Sequence, residues 1–193
     1  MGKVIDKVKQ ELERIEWDFN GPLRADDGRL QITSGVKGKH GNYRIIFSTD
    51  EEMERLTILI LPGVFCPAAT RPATSVYLTR CNFGLILGNF ELDMEDGEMR
   101  YKCSSDFKGG QVSLKMIENM MDAATIGMET FFGGYLAVCF GNKDPKAAYD
   151  EALGRQSSND PTAVLESLMA ALETVDATPA TPMVEELPGV LQQ

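Results

Sequence analysis

The chain is 193 residues long, 43% apolar and 25% charged, an ordinary balance for a soluble globular protein and enough to bury a core without disulfide or metal staples. A formal charge of -10 argues against sequence-independent nucleic-acid binding, which needs Lys and Arg to displace phosphate counterions. No run reaches the roughly 20 apolar residues of a membrane span, and the charged, amphipathic opening Met1-Gly-Lys-Val-Ile-Asp-Lys-Val lacks the apolar stretch of a signal peptide, so no membrane partner is expected.

Val4, Val8, Leu12 and Ile15 recur at helical steps and predict a short amphipathic helix that ends near Trp17 to Asn20, where Asn-Gly-Pro breaks it. Trp17 and Phe19 beside that end read as anchors against a sheet. Two strand segments follow, Leu30 to Val36 and Asn42 to Thr49, joined by the glycine-bearing turn Lys37-Gly-Lys-His-Gly41. A third, Arg55 to Leu61, is apolar on both faces and is placed centrally, covered on both sides. After a loop over Val64 to Ala69, Pro72 opens a second helix carrying Val76, Tyr77, Arg80, Cys81 and Phe83, which Gly84 or Gly88 ends.

From Asn89 to Cys103 apolar and charged residues alternate on both sides of Glu95-Asp96-Gly97. Phe90, Leu92 and Met94 then share one face of a hairpin with Met99, Tyr101 and Cys103, while Arg100 and Lys102 oppose Glu91 and Asp93. The period next changes to 3.6. Ser113 is the expected N-cap of a helix whose stripe is Ile117, Met120, Met121, Ala124, Met128 and Phe131 or Phe132. Gly133-Gly134 interrupts that stripe, leaving either a bent continuation or a second helix over Tyr135 to Phe140. Asp144 and Pro145 cap a further short helix that runs to about Gly154.

These elements predict an α+β fold of order helix, three strands, helix, hairpin, long helix, with an antiparallel five-stranded sheet. The domain spans residues 1–154. Residues 155–175 make a linker and an amphipathic helix bearing Val164, Leu165, Leu168, Met169 and Leu172, either packed on its own domain or free to interact. Residues 176–193, rich in Pro, Thr and Glu, make a mobile tail.

Chemistry is hard to assemble from this composition. His40, the single histidine, stands in a Gly-rich turn without a second ligand or a carboxylate to orient it. Cys66, Cys81, Cys103 and Cys139 lack Cys-x-x-Cys spacing and read as core thiols in a reducing cytosol, hence a cytoplasmic protein; Cys66 or Cys139 would be a nucleophile only with a base from elsewhere. Asp93, Glu95, Asp96 and Glu98 cluster, but the spacing misses an EF-hand because Gly97 falls at position 5 of the loop. Dinucleotide, P-loop and nucleophile-elbow motifs are absent, so no cofactor is expected.

Asn82, Phe83, Gly88, Phe90, Asp93 and Asp96-Gly97, followed by the Ser113-capped apolar helix, resemble the YbjN-like bacterial proteins, labelled sensory transduction regulators. The resemblance covers roughly residues 1 to 150 and implies a fold like that of type III secretion chaperones, a protein client or regulatory partner, and a homodimer. It brings no catalytic residues. The expected function is therefore a non-enzymatic protein-binding module, chaperone-like or regulatory, with Met116, Met120, Met121 and Met128 as its adaptable partner-binding side chains. Two alternatives stand beside it: a carboxylate enzyme that recruits a divalent cation through Asp93, Asp96 or Glu98, and a scaffold acting through its C-terminal helix.

Overall fold

The computed structural model describes residues 2–155, which lie in one compact unit. The helix expected after Pro161 and the tail fall outside the described residues.

The elements in chain order are α1 (Lys3–Arg14), β1 (Asn20–Arg24), β2 (Leu30–Lys37), β3 (Asn42–Asp50), β4 (Arg55–Leu61), α2 (Arg71–Phe83), β5 (Asn89–Leu92), β6 (Met99–Asp106), α3 (Leu114–Gly141) and α4 (Pro145–Ala152). The fold is α+β, as the sequence predicts, but the antiparallel sheet has six strands in the order β1-β2-β3-β4-β6-β5, not five. The additional strand, β1, begins at the Asn-Gly-Pro that reads as a helix breaker. It is short, mostly exposed and at the sheet's edge, where the missing N–H of Pro22 costs no central ladder bond.

Period-2 alternation decides which side of the sheet is buried. Tyr43, Ile45 and Phe47 of β3, Leu56, Ile58 and Ile60 of β4, and Met99, Tyr101 and Cys103 of β6 all turn inward. Helices α1 and α3 pack on this face and on each other, and α2 and α4 pack on α3. Strand β4 is central as expected, between β3 and β6, yet its cover is unequal: Thr57, Leu59 and Leu61 on the far face are only partly buried.

Caps fix the helix ends. Ser113 Oγ accepts the N–H of Met116 at 3.1 Å, and Asp144 Oδ1 accepts those of Lys146 and Ala147 at 2.9 Å, both at the residues the sequence picks. Helix α1 has no capping side chain of its own; Glu51, from the end of β3, accepts the N–H of Val4 and Ile5 at 2.9 Å. Helix α3 runs unbroken through Gly133-Gly134 for 28 residues, long and apolar enough by length and composition to cross a bilayer. Its most apolar stripe is packed against the sheet, as in a core helix.

The hairpin pairs Glu91 with Arg100 and Leu92 with Met99, which leaves Asp93 to Glu98 as the turn. Gly97 there has φ 88°, the left-handed value the Asp-Gly pair predicts. Met94 does not join Phe90 on the inner face. It sits in the turn and is half exposed, because the ladder ends two residues earlier than the alternation does.

Candidate protein-binding surface

Of the four methionines expected to meet a partner, Met120, Met121 and Met128 are buried between α3 and the sheet, and only Met116 is substantially exposed. Their flexible thioethers fill the irregular space between a helix and a twisted sheet, so three of the four are packed inside the chain.

The exposed apolar surface lies elsewhere, where α2 ends. Phe83 is 93% exposed and Ile86 98%, with Leu87 46% and Ile126 65% exposed. Such isolated exposure is normal for one side chain and unusual for neighbours. The sequence shows Phe83 only as one apolar residue of a helix; its direction depends on how α2 sits. Helix α2 turns Tyr77, Leu78 and Cys81 inward, which sends Val76 and Phe83, seven residues apart, outward.

Between the loop that follows Phe83 and α3 is an apolar socket of about 380 Å³. Leu85, Leu87, Ile126 and Phe131 wall it, and none of its lining residues is charged. Two close approaches create it. Gly127 lets the Tyr101 ring press onto α3, since a Cβ there would lie 2.6 Å from Tyr101 Cε2. The Tyr101 hydroxyl then donates to the Leu87 carbonyl and pins the loop. Burial pushes the Tyr101 phenol up to about 12, so it stays a donor at neutral pH.

The neighbouring sheet edge is closed. Asn82 Oδ1 accepts the N–H of Phe90 at 2.7 Å and Asn82 Nδ2 donates to its carbonyl at 3.0 Å, so one side-chain amide takes up the outward backbone groups that a further strand would use. The opposite edge, β1, carries Pro22 and a shift in register.

Of the residues considered for chemistry, the structure brings Cys66 and Cys139 together and keeps Asp93 and Asp96 in one turn. His40 lies over Gly133 of α3, its ring 3.2 Å from where a Cβ would stand. The backbone N–H of Lys39 beside it donates to Glu129 at 2.8 Å, and the two residues line a cleft of about 410 Å³ with Lys143 and Glu151. Cys66 and Cys139 are both buried beside the Thr74 hydroxyl, each sulfur 3.3 Å from it. Burial pushes the Cys139 and Cys81 thiols up to about 12, which suppresses the nucleophilic thiolate. Asp93 and Asp96 spend their carboxylates on the turn, accepting the N–H of Glu95 and Glu98 at 2.7 Å. Among the described residues no group of His, Cys, Asp or Glu is arranged to hold a metal ion.

Comparison with curated proteins returns no match. Among solved structures, YbjN from E. coli is similar at 13% identity and TM-score 0.47, covering 67% of this chain and 91% of that one. A chain of the ExsC-ExsE complex is similar at 15% identity and TM-score 0.41, covering 68% and 94%. Likenesses this distant transfer no site residue. The family model is a different matter: it matches residues 5–134, most of the described unit, and the chain belongs to the YbjN family, whose description reads "Putative bacterial sensory transduction regulator".

Proposed function

We propose that this protein is a regulatory or chaperone-like protein-binding module of the cytoplasm, working as a homodimer and without catalysis of its own. The observation that carries the proposal is the cluster of exposed Ile86, Leu87 and Ile126 around an uncharged socket, with exposed Phe83 immediately before its loop in the chain. Leaving such side chains in water forfeits about 1.5 to 3 kcal/mol for each one that a partner could bury. Membership of a regulator family supports the same reading, as do four buried thiols without a disulfide, which suit a reducing compartment. With β5 covered by Asn82 and β1 blunted by Pro22, the contact is made by apolar side chains and not by strand addition.

The test compares tagged wild-type chain with Ile86→Glu and with Phe140→Glu, an exposed apolar residue of α3 outside the socket. Proteins captured from native cytosol, copies of the chain itself included, are expected to be lost from Ile86→Glu and retained by Phe140→Glu. An unchanged captured set would overturn the assignment of this surface.

A further inference from the structure

We infer that the outer face of the sheet, away from the helices, is a second docking surface, and that its occupant is an acidic amphipathic helix of another protein laid across β3, β4 and β6. It is separate from the socket and does not depend on it.

Alternation sets what this face displays. With Tyr43, Ile45 and Phe47 turned inward, Arg44 and Ile46 of β3 turn outward, and the register carries the pattern across the sheet. Ile46 stands opposite Leu59, and Leu59 opposite Lys102. Arg44 stands opposite Leu61, which the ladder places across from Arg100, one step beyond the Ile60–Tyr101 pair. Leu59 and Leu61 thus lie between a cation on β3 and two on β6. Among the described residues, the helices packed on these strands, α1 and α3, lie on the inner face, and Leu59 and Leu61 stay partly exposed.

Charge names the occupant. The chain carries -10 overall, yet this part of the face displays Lys37, Arg44, Arg100 and Lys102 beside only Glu91 and Glu98. Arg100 and Lys102 share Glu91 at 2.8 and 3.0 Å, while Glu98 stands 4.0 Å from Arg100. Arg44 is exposed and has no ion-pair partner among the described residues. An acidic segment is repelled by most of the molecule and attracted here.

Spacing gives that segment its shape. Strands lie about 4.8 Å apart, so β3 and β6, with β4 between them, are separated by about 10 Å. Seven residues of α-helix rise about 10.5 Å. Carboxylates seven residues apart on a helix crossing the strands therefore reach Arg44 at one end and Arg100 with Lys102 at the other. Apolar residues three and four positions along share that helical face and meet Leu59 and Leu61. Past Arg44 the face runs into an open cleft of about 800 Å³, where Trp17 and Phe19 stand beside Thr33 and Gly35 and leave room for one more apolar residue. An extended segment has no ladder to join, because β3 and β4 are paired on both sides.

Fluorescence anisotropy on the full-length chain tests this with a labelled peptide of about 18 residues, alanine and glutamine with two Glu seven apart and Leu at the third and fourth positions between them. The wild type is expected to bind it with a Kd of about 100 μM or tighter, and more weakly as salt is raised. Arg44→Glu and Leu59→Ser are each expected to weaken binding about tenfold, Ile86→Glu to leave it unchanged, and a peptide with Lys in place of both Glu not to bind. Arg44 is exposed, so its variant keeps the wild-type far-UV spectrum and urea midpoint. No binding by the wild type up to about 1 mM, binding that Arg44→Glu leaves unchanged, or equal binding of the Lys peptide overturns the inference. Tighter binding of a single-stranded oligothymidine overturns it in favour of a nucleic acid. A chain that binds only after Glu166→Lys and Glu173→Lys overturns it in favour of its own segment after residue 155, and a wild-type dimer that Arg44→Glu dissociates overturns it in favour of a second copy. The socket is judged apart: a captured set that depends on Ile86 while the peptide fails to bind overturns this inference alone.

Discussion

Gly134 has no side chain at the point where Tyr77 crosses α3: a Cβ there would lie 2.7 Å from Tyr77 Cζ and closer still to its hydroxyl. That hydroxyl donates to the Phe131 carbonyl at 2.7 Å, from inside a core where both rings are buried. The glycine that the sequence marks as an interruption of the helix is therefore what lets α2 dock on it. Gly134→Ala is expected to cost about 1 to 3 kcal/mol through overpacking, and the combination with Tyr77→Phe less than the sum of the two, because they share one contact. Urea unfolding of the single and double variants measures this. Gly133→Ala, whose Cβ would meet only the edge of His40, is expected to be milder.

The same transitions test the cap that α1 borrows. Glu51→Ala removes the acceptor of two backbone N–H groups and of the Thr49 hydroxyl, which reaches it at 2.7 Å. The expected loss is about 1 to 2 kcal/mol. Glu51→Gln keeps an acceptor oxygen but not the charge that the helix N-terminus favours, so it should fall between wild type and alanine. Gly2→Ala is expected to perturb the same cap, since a Cβ there would stand 2.5 Å from Glu51 Oε2.

Opening the β5 edge should change behaviour as well as stability. Asn82→Ala leaves the N–H and carbonyl of Phe90 without their side-chain partner, at an expected cost of about 1 to 2 kcal/mol. The freed edge is also a template for pairing, so this variant is expected to form larger, concentration-dependent species on warming, in contrast to Asn82→Asp, which keeps one acceptor. Light scattering during a thermal ramp distinguishes the two.

Glu91 supplies a pH signature. Its partial burial alone would raise the carboxyl pKa, but hydrogen bonds from Arg100 at 2.8 Å and Lys102 at 3.0 Å outweigh that and hold it below the usual carboxylate range. A folded-state pKa below the unfolded one gives stability that is present above the unfolded value of about 4.3 and is lost as pH falls through the folded one. Glu91→Gln should therefore be less stable than wild type by up to about 1 kcal/mol at pH 7, with the gap closing at acid pH. Denaturant midpoints at neutral and acid pH read it directly.

What was legible from the amino acids was local. The alternation from Phe90 to Cys103, the 3.6 stripe from Ile117 to Phe132, and the caps at Ser113 and Asp144 all rest on interactions within a few residues, where backbone geometry alone fixes which side chains share a face. Periodicity says that a stripe exists but not what lies against it. Only packing decided that Met120, Met121 and Met128 meet the sheet while Phe83 and Ile86 meet solvent, and that Met94 leaves the hairpin's inner face. Only packing set Glu51 at the head of α1, 47 residues earlier in the chain, and Asn82 over the edge of β5. Strand β1 is the plainest case: five residues with a glycine and a proline have no strand pattern of their own, and they become one because β2 offers them an open ladder.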